Sequence, residues 1–128
     1  MYEKLFEPIN VGPITIPNRI VRSAHSTALP LKRLIAYHEA RAVGGVGMST
    51  LEATGVHLSS PAMRSIIPLH DDAVIPFYKE LSDALRPHGM KILQQIYHPG
   101  SARAPGKGTF QISASAIPNP IAGGIPTA

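Results

Sequence analysis

Apolar residues recur along this chain with two different periods. Near the N-terminus they alternate, Ile9 and Val11 then Ile14 and Ile16, on either side of a Gly12-Pro13 turn. That pattern predicts a β-hairpin. Pro17-Asn18 closes the unit, and Arg19-Ile20-Val21-Arg22-Ser23-Ala24 reads as a short strand. After Pro30 the period becomes helical: Leu31, Leu34, Ile35, His38 and Ala42 share one face, while Lys32, Arg33, Glu39 and Arg41 mostly take the other. Gly44-Gly45 stops this helix. Val46 to Thr54 returns to strand character, and Gly55 to Pro68 reads as loop. Asp71 or Asp72 is placed to cap a second helix, with Phe77, Leu81, Ala84 and Leu85 at helical spacing. Pro87 weakens its last turn and Gly89 ends it. Lys91-Ile92-Leu93-Gln94-Gln95-Ile96 is a third strand.

The predicted order is therefore hairpin, β, α, β, α, β. Strands alternating with helices imply βαβ units and a parallel sheet. Right-handed crossovers then place the helices around a barrel or on both sides of an open sheet. From Tyr97 to Ala128 no period survives, because Pro99, Pro105, Pro118, Pro120 and Pro126 and the glycines oppose helix and central strand alike. A loop of this length is uncommon inside a domain and is expected to be functional or disordered.

Composition changes this picture little. With 44% hydrophobic and 16% charged residues the chain is globular rather than disordered. No stretch approaches the roughly 20 apolar residues of a membrane helix. The N-terminal Met1-Tyr2-Glu3-Lys4 lacks a signal-like apolar run, and a cytoplasmic location is expected. No cysteine is present, which excludes disulfides and thiolate metal sites within this chain. The net charge of +4 comes from scattered residues such as Arg19, Arg41, Arg64, Arg86, Arg103 and Lys107, so no nucleic-acid partner is expected.

Several motifs fail on inspection. Gly44-Gly45-Val46-Gly47 follows a helix and precedes a strand, the reverse of a dinucleotide fingerprint. Gly106-Lys107-Gly108-Thr109 imitates part of a phosphate loop but lacks its first glycine and its metal-binding hydroxyl. The six histidines form no i, i+4 pair, so no metal site is expected and they read as loop or surface residues. Glu52 and Asp72 have no visible partner and are read as structural. What remains is positional. Parallel barrels gather their sites at the C-terminal strand ends, here Ala24-His25-Ser26-Thr27, Leu51-Glu52-Ala53-Thr54 and Gln95-Ile96-Tyr97-His98. Small residues at the first two admit a flat ligand, and a carboxamide at the third offers a donor and an acceptor to an imide edge.

At these residues the chain resembles the old yellow enzyme, or NADH:flavin oxidoreductase, family. The resemblance rests on Leu5-Phe6-Glu7-Pro8-Ile9, Asn18-Arg19-Ile20-Val21, Ala36 to Ala42 with Gly44 to Gly47, Glu52-Ala53-Thr54, Gln95 to Gly100, and Ser113 to Pro118. It runs the length of the chain. His25-Ser26-Thr27 leans toward the dienoyl-CoA reductase and trimethylamine dehydrogenase branch. The resemblance implies an α/β fold: residues 1–128 as the N-terminal half of a (β/α)8 TIM barrel, with a hairpin at 1–17 and a long loop at 97–128. It further implies FMN across the strand ends, NAD(P)H as reductant, and a small-molecule substrate with an activated C=C bond. Ala24, His25 and Ser26 would contact the flavin through main-chain groups, Ala53 would pack beside it, and Gln95 would bond its pyrimidine edge. Ser101 departs from the family, which usually has arginine there, and the 29–33 loop is short. The family's catalytic residues have no counterpart within these 128 positions, so no catalytic residue is expected in this chain. Ile20, Arg22 and Ala24 are expected on the inner barrel face, to be covered by the missing barrel half or by a second copy. The alternative is a non-catalytic half barrel that self-associates for a binding or structural role.

Overall fold

The structure is a computed structural model that describes residues 2–60, 66–102, 110–121 and 124–128. The Gly106–Thr109 run, Pro105 and the charges of Arg64, Arg103 and Lys107 lie outside the described residues.

The hairpin forms as the alternation predicts. β1 (Ile9–Val11) pairs antiparallel with β2 (Ile14–Ile16), Ile9 opposite Ile16 and Val11 opposite Ile14. Gly12 turns the corner at φ +56°, a left-handed conformation that favours glycine. β3 is only Val21–Arg22, shorter than the predicted strand. α1 (Leu31–Val43) buries Leu34, Ile35, His38 and Ala42, the predicted face without its first member. Gly45, at φ +86°, terminates it: its N–H donates to Ala42 O at 3.0 Å and Val46 N–H donates to Arg41 O at 3.1 Å, the paired bonds of a Schellman stop.

β4 (Met48–Gly55) is the central strand. β3 runs parallel to it, Val21 with Met48 and Arg22 with Ser49. On its other edge lies β6 (Lys91–Tyr97), also parallel, with an irregularity in register between Leu51 and Thr54. The segment 55–68, expected to be loop throughout, contains a two-residue strand, β5 (Ile67–Pro68), which pairs with Thr54 and Gly55. It occupies the edge of β4 that β3 leaves free, because β3 ends after two residues and the backbone groups of Thr54 and Gly55 need partners.

Asp71 caps the turn Asp72–Val74 by accepting from Ala73 N–H at 2.9 Å. α2 (Ile75–Leu85) follows, burying Phe77, Leu81 and Leu85. As Pro87 requires, the helix tightens into a 3-10 turn at Arg86–His88 and stops at Gly89, φ +70°. One core joins the two helices to the outer face of the sheet: Leu34, Ile35, Leu51, Ile67, Val74, Phe77, Leu81, Leu85 and Met90. Asn18 ties the base together. Its Nδ2–H donates to Gly45 O at 2.8 Å, and its Oδ1 accepts from Ile20 N–H at 3.0 Å. In the C-terminal segment the described order is a turn at Gly100–Ala102 and one parallel bridge between Ile112 and Thr127.

Candidate functional site

Alternation along β6 decides which of two adjacent glutamines is available. Gln94 is committed to the helix layer: Tyr78 Oη–H of α2 donates to its Oε1 at 2.7 Å, and its Nε2–H donates to Glu52 O at 2.5 Å. Consecutive strand residues point to opposite faces, so Gln95 presents its carboxamide to the open face of the sheet. Its backbone carbonyl accepts from Thr54 Oγ1–H at 3.0 Å, its side chain is exposed, and the carboxamide has no hydrogen-bond partner among the described residues. Ala53 precedes Thr54, and Gln95 precedes Ile96, the residue paired with Thr54. These two are therefore neighbours across the β4–β6 ladder. Ala24, half-buried, follows the end of β3 on the other side of β4, and His25 and Ser26 continue from it in exposed loop. The structure thus brings Ala24, Ala53 and Gln95 to one C-terminal edge in the order β3-β4-β6.

The side chain of His25 turns away from that edge toward α1. Its Nε2 lies 3.3 Å from Arg22 Nη2 and 3.3 Å from Tyr37 Oη. Arg22, expected on the inner face, likewise points to the helix layer. Its Nη1–H donates to Thr50 O at 2.7 Å, Nη2 approaches Glu52 Oε1 at 3.5 Å, and the guanidinium lies over the Tyr37 ring. An unpaired guanidinium has no stable place on an apolar inner face, whereas here it meets a carboxylate.

Glu52 is the centre of a buried polar cluster. Only 2% exposed, it accepts from Thr27 Oγ1–H at 3.0 Å and meets His38 Nε2 at 3.4 Å. The opposite ring nitrogen, Nδ1, meets Ser49 Oγ at 3.2 Å. Burial pushes the Glu52 carboxyl up, but hydrogen bonds from His38, its own backbone and Thr27 outweigh that and hold it below the ordinary carboxylate value. His38 therefore corrects the expectation of surface or loop histidines: it is fully buried. Ser49, His38 and Glu52 have the composition of a hydrolytic triad, yet all three are buried between helix and sheet, so no substrate reaches the hydroxyl. Their role is to pin α1 to β4. Tyr78 feels the same cluster, its phenol pushed up to about 12 by burial and by the Glu52 charge.

A cleft of about 500 Å³ opens between the β3–α1 loop, the start of α1, β5 and the turn before α2, with Glu52 on its wall. None of the predicted cofactor residues lines it. Among the described residues no group of three or more His, Asp or Glu is placed to hold a metal ion. No helix of the described residues is long and apolar enough to cross a membrane.

A parallel βαβαβ sheet with helices on one face, preceded by a hairpin and carrying its uncommitted polar group at the C-terminal strand ends, is the opening portion of a (β/α)8 barrel. Comparison with known proteins assigns the family. Residues 4–123 match the model of the NADH:flavin oxidoreductase / NADH oxidase family, and the chain belongs to it. That family's cofactor is FMN, with a nicotinamide nucleotide as reductant. The chain is 36% identical over 107 residues to the N,N-dimethylglycine/sarcosine dehydrogenase of Chromohalobacter salexigens, covering 77% of this chain and 15% of that protein. It is 30% identical over 104 residues to the multifunctional alkene reductase/demethylase of Caballeronia cordobensis, covering 77% of this chain and 15% of that protein. Among solved structures, histamine dehydrogenase from Rhizobium sp. 4-9 superposes with a TM-score of 0.81 at 26% identity, covering 91% of this chain and 19% of that one. The chain thus spans less than a fifth of the length of each of these relatives.

Proposed function

We propose that this chain supplies the first portion of an FMN-binding barrel mouth in an NAD(P)H-dependent oxidoreductase that reduces an activated C=C bond. One observation carries the reading: Gln95 presents an uncommitted carboxamide beside Ala53 at the C-terminal edge, while Gln94 is tied to Tyr78 and Glu52. A donor and an acceptor on one planar group match the imide edge of a flavin. Ala24 and Ala53 leave room for a flat ring, and the main chain at His25 and Ser26 can approach it. The residues present therefore fit the group. When bound, FMN supplies two-electron hydride chemistry between the nicotinamide and the substrate. What the chain's own residues do is bind and orient. Gln95 fixes the ring edge in the plane, the alanines set its depth, and the Glu52 cluster holds β4 against α1 so that this edge is rigid.

A second reading, oxidation of a C–N bond in a small amine, is favoured by the dimethylglycine/sarcosine dehydrogenase and histamine dehydrogenase likenesses. It uses the same flavin edge. In either reading the chain alone turns over no substrate. The test is flavin binding followed by fluorescence. In a protein containing the whole barrel, Gln95→Ala is expected to weaken FMN binding by about 1–3 kcal/mol, the cost of an unsatisfied buried polar edge, and Gln94→Ala to leave it unchanged. The reverse order would overturn the assignment. NAD(P)H oxidation with an enone or an N-methyl amine separates the two chemistries in a protein containing the whole barrel. With this chain and added FMN, turnover above a free-flavin control would overturn its inactivity.

A further inference from the structure

The flavin reading uses only the main chain of His25, yet the side chain is fixed there as well, and by donors. Its ring Nε2 lies 3.3 Å from Arg22 Nη2 and 3.3 Å from Tyr37 Oη. A guanidinium has no lone pair to offer, so at the Arg22 contact Nε2 must be the acceptor. Tyr37 completes the arrangement: its Oη accepts from Arg22 Nε–H at 3.5 Å, which leaves its own hydroxyl proton to donate to Nε2. Arg22 is itself held in place, since Nη1–H donates to Thr50 O at 2.7 Å and Nη2 faces Glu52 Oε1 at 3.5 Å. With its lone pair at Nε2, the imidazole carries its proton on Nδ1. We propose that Arg22 and Tyr37 lock His25 in the Nδ1–H tautomer, and that this N–H donates a side-chain hydrogen bond to an acceptor atom of the flavin ring at the C-terminal edge.

The position of the proton matters because the two nitrogens stand in different places. Nε2 is at the far side of the ring and reaches toward α1. Nδ1 is bonded to Cγ, the atom that joins the ring to Cβ, and so stays beside the main chain of residues 25 and 26. Turning the ring toward α1 therefore leaves the Nδ1–H at the strand end. There it has no hydrogen-bond partner among the described residues, and His25 is exposed. Water satisfies such a group in the open, but a flat ring laid against the main chain removes that water, and the N–H then needs an acceptor. The inference rests on the flavin reading, which brings the ring to this stretch of main chain. The carbonyl oxygens and unprotonated ring nitrogens of an oxidised flavin are acceptors of the required kind. A ligand presenting only donors here would be disfavoured, so His25 adds selectivity that main-chain contact through any other side chain would lack.

Asparagine and glutamine separate the two ends of the ring. An asparagine amide can place an N–H where Nδ1 stands but does not reach Arg22. A glutamine oxygen can stand where Nε2 does and accept from Arg22 and Tyr37, with no donor near Cβ. In a protein containing the whole barrel, His25→Gln is expected to weaken FMN binding about three- to tenfold, the effect of one hydrogen bond, and to melt like the wild type. His25→Asn is expected to bind FMN within about twofold of the wild type and to melt earlier. A residue that merely packs β3 against α1 would give the reverse order. Binding unchanged in His25→Gln, or lost at least as much in His25→Asn, therefore overturns the proposal. Imidazole nitrogen NMR of the same protein stripped of flavin, at about pH 8, is expected to show His25 protonated on Nδ1 and bare on Nε2. A proton on Nε2 overturns the lock whatever the flavin does. If Gln95→Ala weakens FMN binding and His25→Gln does not, this inference fails alone; if neither does, the flavin reading fails with it.

Discussion

Removing the Glu52 carboxylate tests the central claim about how this fold is held. Glu52 reaches Thr27 in the β3–α1 loop, His38 on α1 and Arg22 on β3, and is itself on β4. Its loss in Glu52→Ala leaves the Arg22 guanidinium, whose side chain is 10% exposed, without a counter-charge. Breaking such a pair from one side costs about 3–5 kcal/mol. Arg22 keeps the Thr50 carbonyl and the Tyr37 ring, so the low end applies, about 3 kcal/mol, a large part of a typical net stability of about 5–15 kcal/mol. Glu52→Gln keeps an acceptor oxygen and costs less, about 1–2 kcal/mol. The pH dependence follows from the depressed carboxyl. The unfolded chain binds the proton first, so this stabilisation is complete above the ordinary value of 4.5 and is lost as pH falls through the folded value. Urea melts of wild type and both variants, at neutral pH and in steps through the acid range, measure both effects. A Glu52→Ala loss below about 1 kcal/mol, or a Glu52→Gln variant with the acid slope of wild type, would refute the cluster's role.

Tyr78, whose phenol is pushed up to about 12, ionises first in the unfolded chain, so its contribution to stability is present below the ordinary value and fades as pH rises toward the folded one. Tyr78→Phe is expected to cost about 0.5–1.5 kcal/mol at neutral pH and to flatten that alkaline loss, read by denaturant melts. Gly47→Ala is expected to destabilise by about 1–3 kcal/mol, since the added Cβ would stand 2.5 Å from Asn18 Oδ1 and 2.8 Å from Asn18 O; an unchanged melting midpoint would mean that the loop before β3 yields. By sedimentation the chain is expected to associate as concentration rises, because Ile92, Leu93 and Ile96 of β6 are left exposed; a compact, concentration-independent monomer would count against a need for a barrel half or second copy.

What the sequence by itself determined is everything carried by local period and punctuation. The hairpin, the buried face of α1, the buried face of α2 and the stops at Gly45 and Gly89 are all legible, because each depends on residues a few positions apart. The family was legible for a similar reason, its motifs being short runs in order. The tertiary structure alone decided three things. It paired β5 with β4, since two residues carry no period and form a strand only where a neighbour leaves backbone groups free. It gathered Arg22, Thr27, His38, Ser49 and Glu52 into one buried cluster, turning Arg22 from the expected inner face to the helix layer. Neither adjacency nor i, i+4 spacing signals such a group, because its members come from two strands, a helix and the loop between β3 and α1. It also separated Gln94 from Gln95. Two identical side chains in sequence become one tied residue and one free one only when alternation along a strand meets a helix, with Tyr78, on one side and an open face on the other.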